Sequence, residues 1–159
     1  MTMRAVRVGA YGGSEQLIVS EVPVPEPGAG DVLVKIEIAG VNFIDVYLRT
    51  GVFKDSVTYP NTPPFTPGME GGGRIEAVGA GVEGLSPGDR VAYCVERGSY
   101  AEYAVVPAWK LVRVPDETPM EIAVALQLQG MTAHYLTHSL FPLEPGHTCL
   151  IHAGAGGLG

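Results

Sequence analysis

Long apolar runs are missing from this chain. No stretch approaches the ~18 residues that would cross a bilayer as a helix. Met1 to Gly13 holds no apolar segment of the kind a secretory leader carries. Cysteine is nearly absent, with Cys94 and Cys149 the only two among 159 residues. Far apart and set among apolar neighbours, they read as reduced core thiols of a cytoplasmic protein rather than a disulfide framework. Basic residues are scarce as well: 10 Lys and Arg against 17 Asp and Glu give a formal net charge of −7. Without a basic stripe the chain is a poor partner for nucleic acid or for an anionic membrane surface. What is present is a folded composition, 46% apolar and 17% charged, with 22 Gly and 13 Pro separating short apolar runs.

Read in order, Met3 to Val8 and Leu17 to Val22 are expected strands, joined by a turn at Tyr11-Gly12-Gly13. The run from Asp31 to Ala39 is the clearest strand: Val32, Val34, Ile36 and Ile38 share a face, and Leu33, Lys35 and Glu37 alternate with them. A short helix follows over Asn42 to Arg49, with Asn42 as its cap and Gly51 at the left-handed position past its end. In it Phe43 and Tyr47, and Ile44 and Leu48, fall at i, i+4 spacing, and Asp45 and Arg49 can pair. Residues 52–67 form a long loop with prolines at 60, 63, 64 and 67, a rim over a site or a plain surface loop. Gly71-Gly72-Gly73 allow a close chain crossing. Strands are then expected over Arg74 to Val78, after a turn within Pro87 to Tyr93, over Gly98 to Val106 and briefly at Leu111 to Pro115. To about residue 115 the pattern is all-β, a barrel or a sandwich.

The character changes at Thr118. Thr118-Pro119-Met120-Glu121 is a capping box that starts a helix, Gly130 interrupts it, and Met131 to Leu140 make a second helix. Pro145-Gly146 turn the chain into a short apolar strand over residues 148–151. Gly154, Gly156 and Gly159 then fall on a G-x-G-x-x-G spacing. Glycines in such a loop let the backbone approach a pyrophosphate. The same spacing also occurs in plain glycine-rich turns, and it is the order of turn, strand and loop that favours the nucleotide reading.

Taken together, Gly40-Val41-Asn42-Phe43-Ile44-Asp45-Val46-Tyr47, Gly68-Met69-Glu70, Gly88-Asp89-Arg90-Val91, Gly98-Ser99-Tyr100-Ala101-Glu102-Tyr103, residues 128–136 and His152 to Gly159 resemble the medium-chain dehydrogenase/reductase superfamily. More narrowly they resemble its zinc-free quinone oxidoreductase, zeta-crystallin-like branch. The resemblance implies a mixed α/β chain. Residues 1–117 would be a GroES-like β-barrel substrate domain, and residues 118–159 the truncated start of a Rossmann dinucleotide-binding domain. Zinc-dependent relatives place a cysteine where Asn42 stands and a histidine where Met69 stands, so no metal site is expected here. His134 and His138, one helical turn apart, lack a third ligand and a carboxylate base.

The resemblance also implies NADPH as cofactor and a quinone, or another activated carbonyl or enone, as acceptor. It places Asn42, Phe43, Ile44, Asp45, Val46 and Tyr47 beside the nicotinamide. Tyr47 and Asn42 are the candidate catalytic residues, the tyrosine as a donor to the substrate oxygen and the asparagine as an orienting amide. Thr132 and Tyr135 match cofactor-touching positions, and Gly154, Ala155, Gly156, Gly157, Leu158 and Gly159 match the pyrophosphate loop. Helix packing and capping are equally open to these side chains. Asp45 is expected to anchor Arg49 or a backbone group, Glu70 to be structural, and Gln129 to lose the contact a lysine makes in other relatives. A full-length homodimer is implied. Residues 1–159 alone are expected to bind dinucleotide weakly and to be inactive. An alkene or enone (2-haloacrylate-type) reductase and a non-catalytic crystallin-like binding protein are the alternatives.

Overall fold

The computed structural model describes residues 1–58 and 61–159, so Pro60 of the long loop lies outside the described residues. Strands β1 (Thr2–Val8) and β2 (Leu17–Pro23) form an antiparallel hairpin in which Val8 faces Leu17 and Thr2 faces Pro23. Strands β3 (Asp31–Ala39), β4 (Glu70–Val78), β5 (Arg90–Cys94), β6 (Tyr103–Pro107) and β7 (Val112–Arg113) make a second antiparallel sheet in the order β6-β3-β4-β5-β7. The hairpin is tied to the rest by bridges between Ala5 and Ala101 and between Val8 and Phe65. The sheet does not close into the expected barrel, because β6 and the two-residue β7 remain its edges among the described residues.

The alternation in β3 holds: Val32 and Val34 are buried and Lys35 and Glu37 are exposed. Leu33 is buried as well, because the register against β4 shifts between Leu33 and Val34. Val32, Val34, Ile75, Val91, Tyr93, Ala104 and Val106 form the main core. The strand expected to start at Arg74 starts at Glu70, and the three glycines lie inside it. A Cβ on Gly72 would meet Val124 Cγ2 at 2.7 Å and the Val91 carbonyl oxygen at 2.9 Å. The glycine lets a helix lie directly on the β4 backbone. The strand expected from Gly98 begins only at Tyr103, since the Tyr100 N–H donates to the Pro67 carbonyl at 3.1 Å instead of joining a ladder.

Helix α1 (Phe43–Thr50) matches the sequence expectation, and Gly51 ends it at φ 81°. The expected Asp45–Arg49 pair does not form: the Arg49 guanidinium donates to the Gly12 carbonyl at 2.7 Å. Helix α2 (Met120–Ala125) starts without a side-chain cap, so the expected capping box is not made. The loop before it is held instead by Arg90, which donates to the carbonyls of Asp116 at 3.0 Å and Thr118 at 2.7 Å. Gly130 does not break the helix. Its backbone is helical (φ −65°, ψ −45°), and the chain runs on through a π-helical segment (Leu126–Gly130), α3 (Met131–His134) and a second π-helical segment (Tyr135–Leu140).

Residues 148–151 do not form the expected strand. A strand needs a neighbour for its backbone groups, and none lies beside it among the described residues. Cys149 is consequently exposed and not a core thiol, while Cys94 is half-buried.

Candidate functional site

Asn42 is the residue on which three elements meet. It stands at the N-terminus of α1 in an extended conformation and is 8% exposed. It holds the expected N-cap position, in a capping box with Asp45. Its Nδ2 donates to Glu70 Oε2 at 2.8 Å, and its Oδ1 accepts from Gln129 Nε2 at 2.7 Å. Glu70 is buried at the start of β4, and its Oε1 accepts the Leu128 backbone N–H at 2.8 Å. Gly40 makes room for this carboxylate, since a Cβ there would fall on Glu70 Oε2.

The same contact accounts for the wide helical turn. The Leu128 N–H leaves the helix ladder for Glu70, and the Ala123 carbonyl accepts the Gln127 side-chain amide at 3.1 Å. A side chain inserted into the i→i−4 ladder offsets it locally, as the π-helical geometry of Leu126–Gly130 reflects.

Asp45 is the other half of the capping box. Its Oδ2 accepts the Asn42 backbone N–H at 3.1 Å and the Tyr100 hydroxyl at 2.9 Å. Burial raises the Asp45 carboxyl above the ordinary aspartate range, against the opposing pull of the Asn42 N–H, the Tyr100 hydroxyl and the Gly68 and Met69 backbone. Tyr100 is raised too, by burial and by the Asp45 charge. Burial and the Glu70 charge both raise the Cys94 thiol, which disfavours its thiolate.

The outer face of α1 is open. Phe43 is 70% exposed and Tyr47 40%. The Tyr47 ring stands edge-on between Phe43, at 5.2 Å, and Phe53, at 5.7 Å. Ile44 turns inward with Leu48, packing on the cluster of Val8, Phe65 and Met69, and Val46 is half-buried. The Met69 thioether is thus a core group, 2% exposed.

The other predicted residues are placed less tightly. The Thr132 hydroxyl is spent on the Leu128 carbonyl at 2.6 Å, and Tyr135 is 53% exposed. Gly154, Ala155, Gly156, Gly157, Leu158 and Gly159 lie exposed in irregular turns, with the left-handed conformation falling on Ala153 (φ 53°). Gly157 lies against Gln129, and both line a cavity of about 390 Å³ with Gly40, Val41 and Glu70. The structure therefore brings the glycine loop to the partner of Asn42. It leaves Tyr47 and Tyr135 on open surface. His134 and His138 stack with ring centroids 4.3 Å apart, and no group of three potential metal-ligating side chains exists among the described residues.

Sequence reasoning missed two members of the site. Gln129 was legible only as a lost lysine, and Tyr100 only as part of a strand. Glu70 holds the structural role expected of it. The glycine at position 40, two residues ahead of Asn42, was the available signal that something bulky sits there.

Residues 28–116, more than half of the chain, match the alcohol dehydrogenase GroES-like domain. This chain belongs to that family. The chain is 40% identical over 157 residues to a quinone oxidoreductase of Pseudomonas aeruginosa, covering 98% of this chain and 47% of that protein. It is 38% identical over 162 residues to a 2-haloacrylate reductase of a Burkholderia species, covering 100% of this chain and 48% of that protein. A mycobacterial structure complexed with NADPH superposes with a TM-score of 0.89 at 44% identity, covering 98% of this chain and 47% of that one. The chain thus spans about half the length of the curated relatives it matches, and it is a member of the medium-chain dehydrogenase/reductase superfamily.

Two glycines of the loop have room for a side chain. A Cβ on Gly154 would meet nothing nearer than Ile151 Cγ2 at 3.9 Å, and one on Gly157 only Gln129 Cγ at 3.4 Å. Neither glycine has a positive φ. Nothing in the local fold demands glycine at these two positions, whereas a Cβ on Gly156 would meet the Ala153 carbonyl oxygen at 3.0 Å and one on Gly159 would collide with the Gly154 backbone.

Proposed function

We propose that this chain is the substrate-side half of an NADPH-dependent quinone oxidoreductase that works without zinc. The observation that carries the proposal is the hydrogen-bonded chain Gln129–Asn42–Glu70 beside an apolar Met69. Where a zinc-dependent relative would offer thiolate and imidazole, an amide is held at both ends inside the protein and a thioether is buried in the core. Neither is a zinc ligand of the usual kind. A bound nicotinamide supplies the hydride.

In this proposal residues 1–117 form the substrate domain and residues 118–159 begin the dinucleotide domain. Gly154, Ala155, Gly156, Gly157, Leu158 and Gly159 form the loop that would hold the pyrophosphate, through backbone N–H groups not spent within the loop as those of Gly156 and Gly159 are. Asn42, Phe43, Ile44, Asp45, Val46 and Tyr47 wall the nicotinamide side, with Thr132 and Tyr135 on the facing helix. Asn42, locked by Glu70 and Gln129, fixes the start of α1. Tyr47, with its ring held edge-on between two phenylalanines, donates its hydroxyl to an acceptor oxygen. The protein is cytoplasmic and acts as a homodimer.

A second reading, reduction of a carbon–carbon double bond conjugated to a carbonyl, is favoured by the similarity to the Burkholderia 2-haloacrylate reductase. NADPH oxidation by the full-length protein against a panel of quinones, enones and 2-haloacrylates tests both. Turnover with quinones alone supports the first reading and turnover with alkenes alone the second. No oxidation of NADPH by any member overturns both and leaves a binding role.

A further inference from the structure

Among the described residues, no carboxylate pairs with Arg7 or Arg97. Arg49 and Arg90 make no ion pair there either but donate to backbone carbonyls, and Arg4, Arg74, Arg113 and Lys110 each hold a carboxylate. Arg7 and Arg97 both line one cavity of about 380 Å³, which has Thr66 and Tyr103 as polar neighbours and no Asp or Glu in its wall. Glu102, on the segment that borders it, is taken by Arg4 at 3.0 Å.

The two guanidinium groups meet the same dipeptide. Arg7 Nη1 donates to Thr66 Oγ1 at 3.1 Å, and the Arg97 guanidinium lies over the Phe65 ring, 5.4 Å from its centroid. Arg97 Nη1 is buried and has no hydrogen-bond partner among the described residues. A buried, unpaired guanidinium nitrogen is costly, and the face of a phenyl ring offsets only part of that cost. In a chain of net charge −7, two arginines with no carboxylate partner among the described residues share one acid-free cavity.

The geometry points to an oxyanion site at this cavity, outside the Asn42–Glu70 centre, taking a phosphate or phosphate ester on Arg7, Arg97 and the Thr66 hydroxyl. Guanidinium forks and a hydroxyl are the donor set such a group selects. The site joins three segments that backbone hydrogen bonds already tie together. Val8 and Phe65 exchange bonds at 2.9 and 3.1 Å, Val6 N–H donates to Tyr100 O at 2.8 Å, and Tyr100 N–H donates to Pro67 O at 3.1 Å. An anion there braces the junction between the hairpin and the main sheet.

Calorimetric titration of the purified chain with inorganic phosphate, against sodium chloride at matched ionic strength, tests the site. The expected result is saturable binding that weakens at least about tenfold in Arg7→Gln and in Arg97→Gln and is unchanged in Arg113→Gln, whose arginine pairs with Asp89 elsewhere. If Arg97→Gln does not fold, Arg7→Gln alone carries the comparison. Absence of saturable binding, or equal weakening in Arg113→Gln, or full affinity in Arg7→Gln, overturns the site.

Discussion

Asn42 and Glu70, 28 residues apart in sequence, are joined by a buried 2.8 Å hydrogen bond from amide to carboxylate. That bond connects the first residue before α1 to the first residue of β4. Through the other carboxylate oxygen it reaches the backbone of the helix at Leu128. One side chain therefore sets the relative position of a strand and two helices.

Removing that carboxylate should be costly. Glu70→Ala strands the Asn42 amide and the Leu128 N–H in a buried setting, a loss of about 2–4 kcal/mol. Glu70→Gln keeps an acceptor for one of them and should lose about half as much. Urea unfolding of the two variants and the parent, followed by circular dichroism, gives the comparison. Equal stability of Glu70→Ala and the parent would remove Glu70 from its central place.

Gly40→Ala should destabilise the fold although Gly40 lies outside the left-handed region. The added methyl occupies the space of Glu70 Oε2, and overpacking of this kind costs about 1–3 kcal/mol. A thermal melt decides it, and an unchanged midpoint would mean that the carboxylate moves aside freely.

These two positions show how far the sequence could be read. The strands, α1 and its Gly51 cap follow from alternation, i, i+4 spacing and turn residues, which are local signals. The failures are non-local. Gly130 is a helix breaker by propensity, but packing and the Glu70–Leu128 bond carry the helix through it. Residues 148–151 have strand composition, but composition cannot supply a neighbouring strand. Asn42 was legible as a cap, yet its amide is claimed by two residues 28 and 87 positions away. No local pattern encodes that.

Asp45 gives a pH signature. Burial raises its carboxyl in the folded chain, so the folded state holds its proton to higher pH than the unfolded state does. The group's contribution to stability is full below the unfolded value and declines as pH rises through the folded value. In Asp45→Asn this component is absent. The difference in unfolding free energy between parent and Asp45→Asn should therefore shift against the parent as pH climbs from the ordinary aspartate value of 3.8. A difference that moves the other way would mean that the hydrogen bonds from Asn42 and Tyr100 outweigh desolvation.

The glycine loop separates folding from binding. Gly154→Ala should leave the stability of the chain within about 0.5 kcal/mol, because a Cβ fits there. The same change in the full-length protein should weaken NADPH binding by crowding the approach to the backbone. By itself the chain should bind NADPH weakly, since the loop turns the Gly156 and Gly159 N–H groups onto its own carbonyls. Fluorescence titration of parent and variant reads both quantities, and unaltered NADPH affinity in the variant would take the loop out of the cofactor site.

The most direct test of the proposed chemistry is quinone reduction by the full-length protein before and after exhaustive chelation, with metal content measured on the same samples. The account predicts no stoichiometric zinc and an unchanged rate of NADPH oxidation. One zinc per chain, lost together with activity on chelation and restored together on adding the metal back, would contradict it.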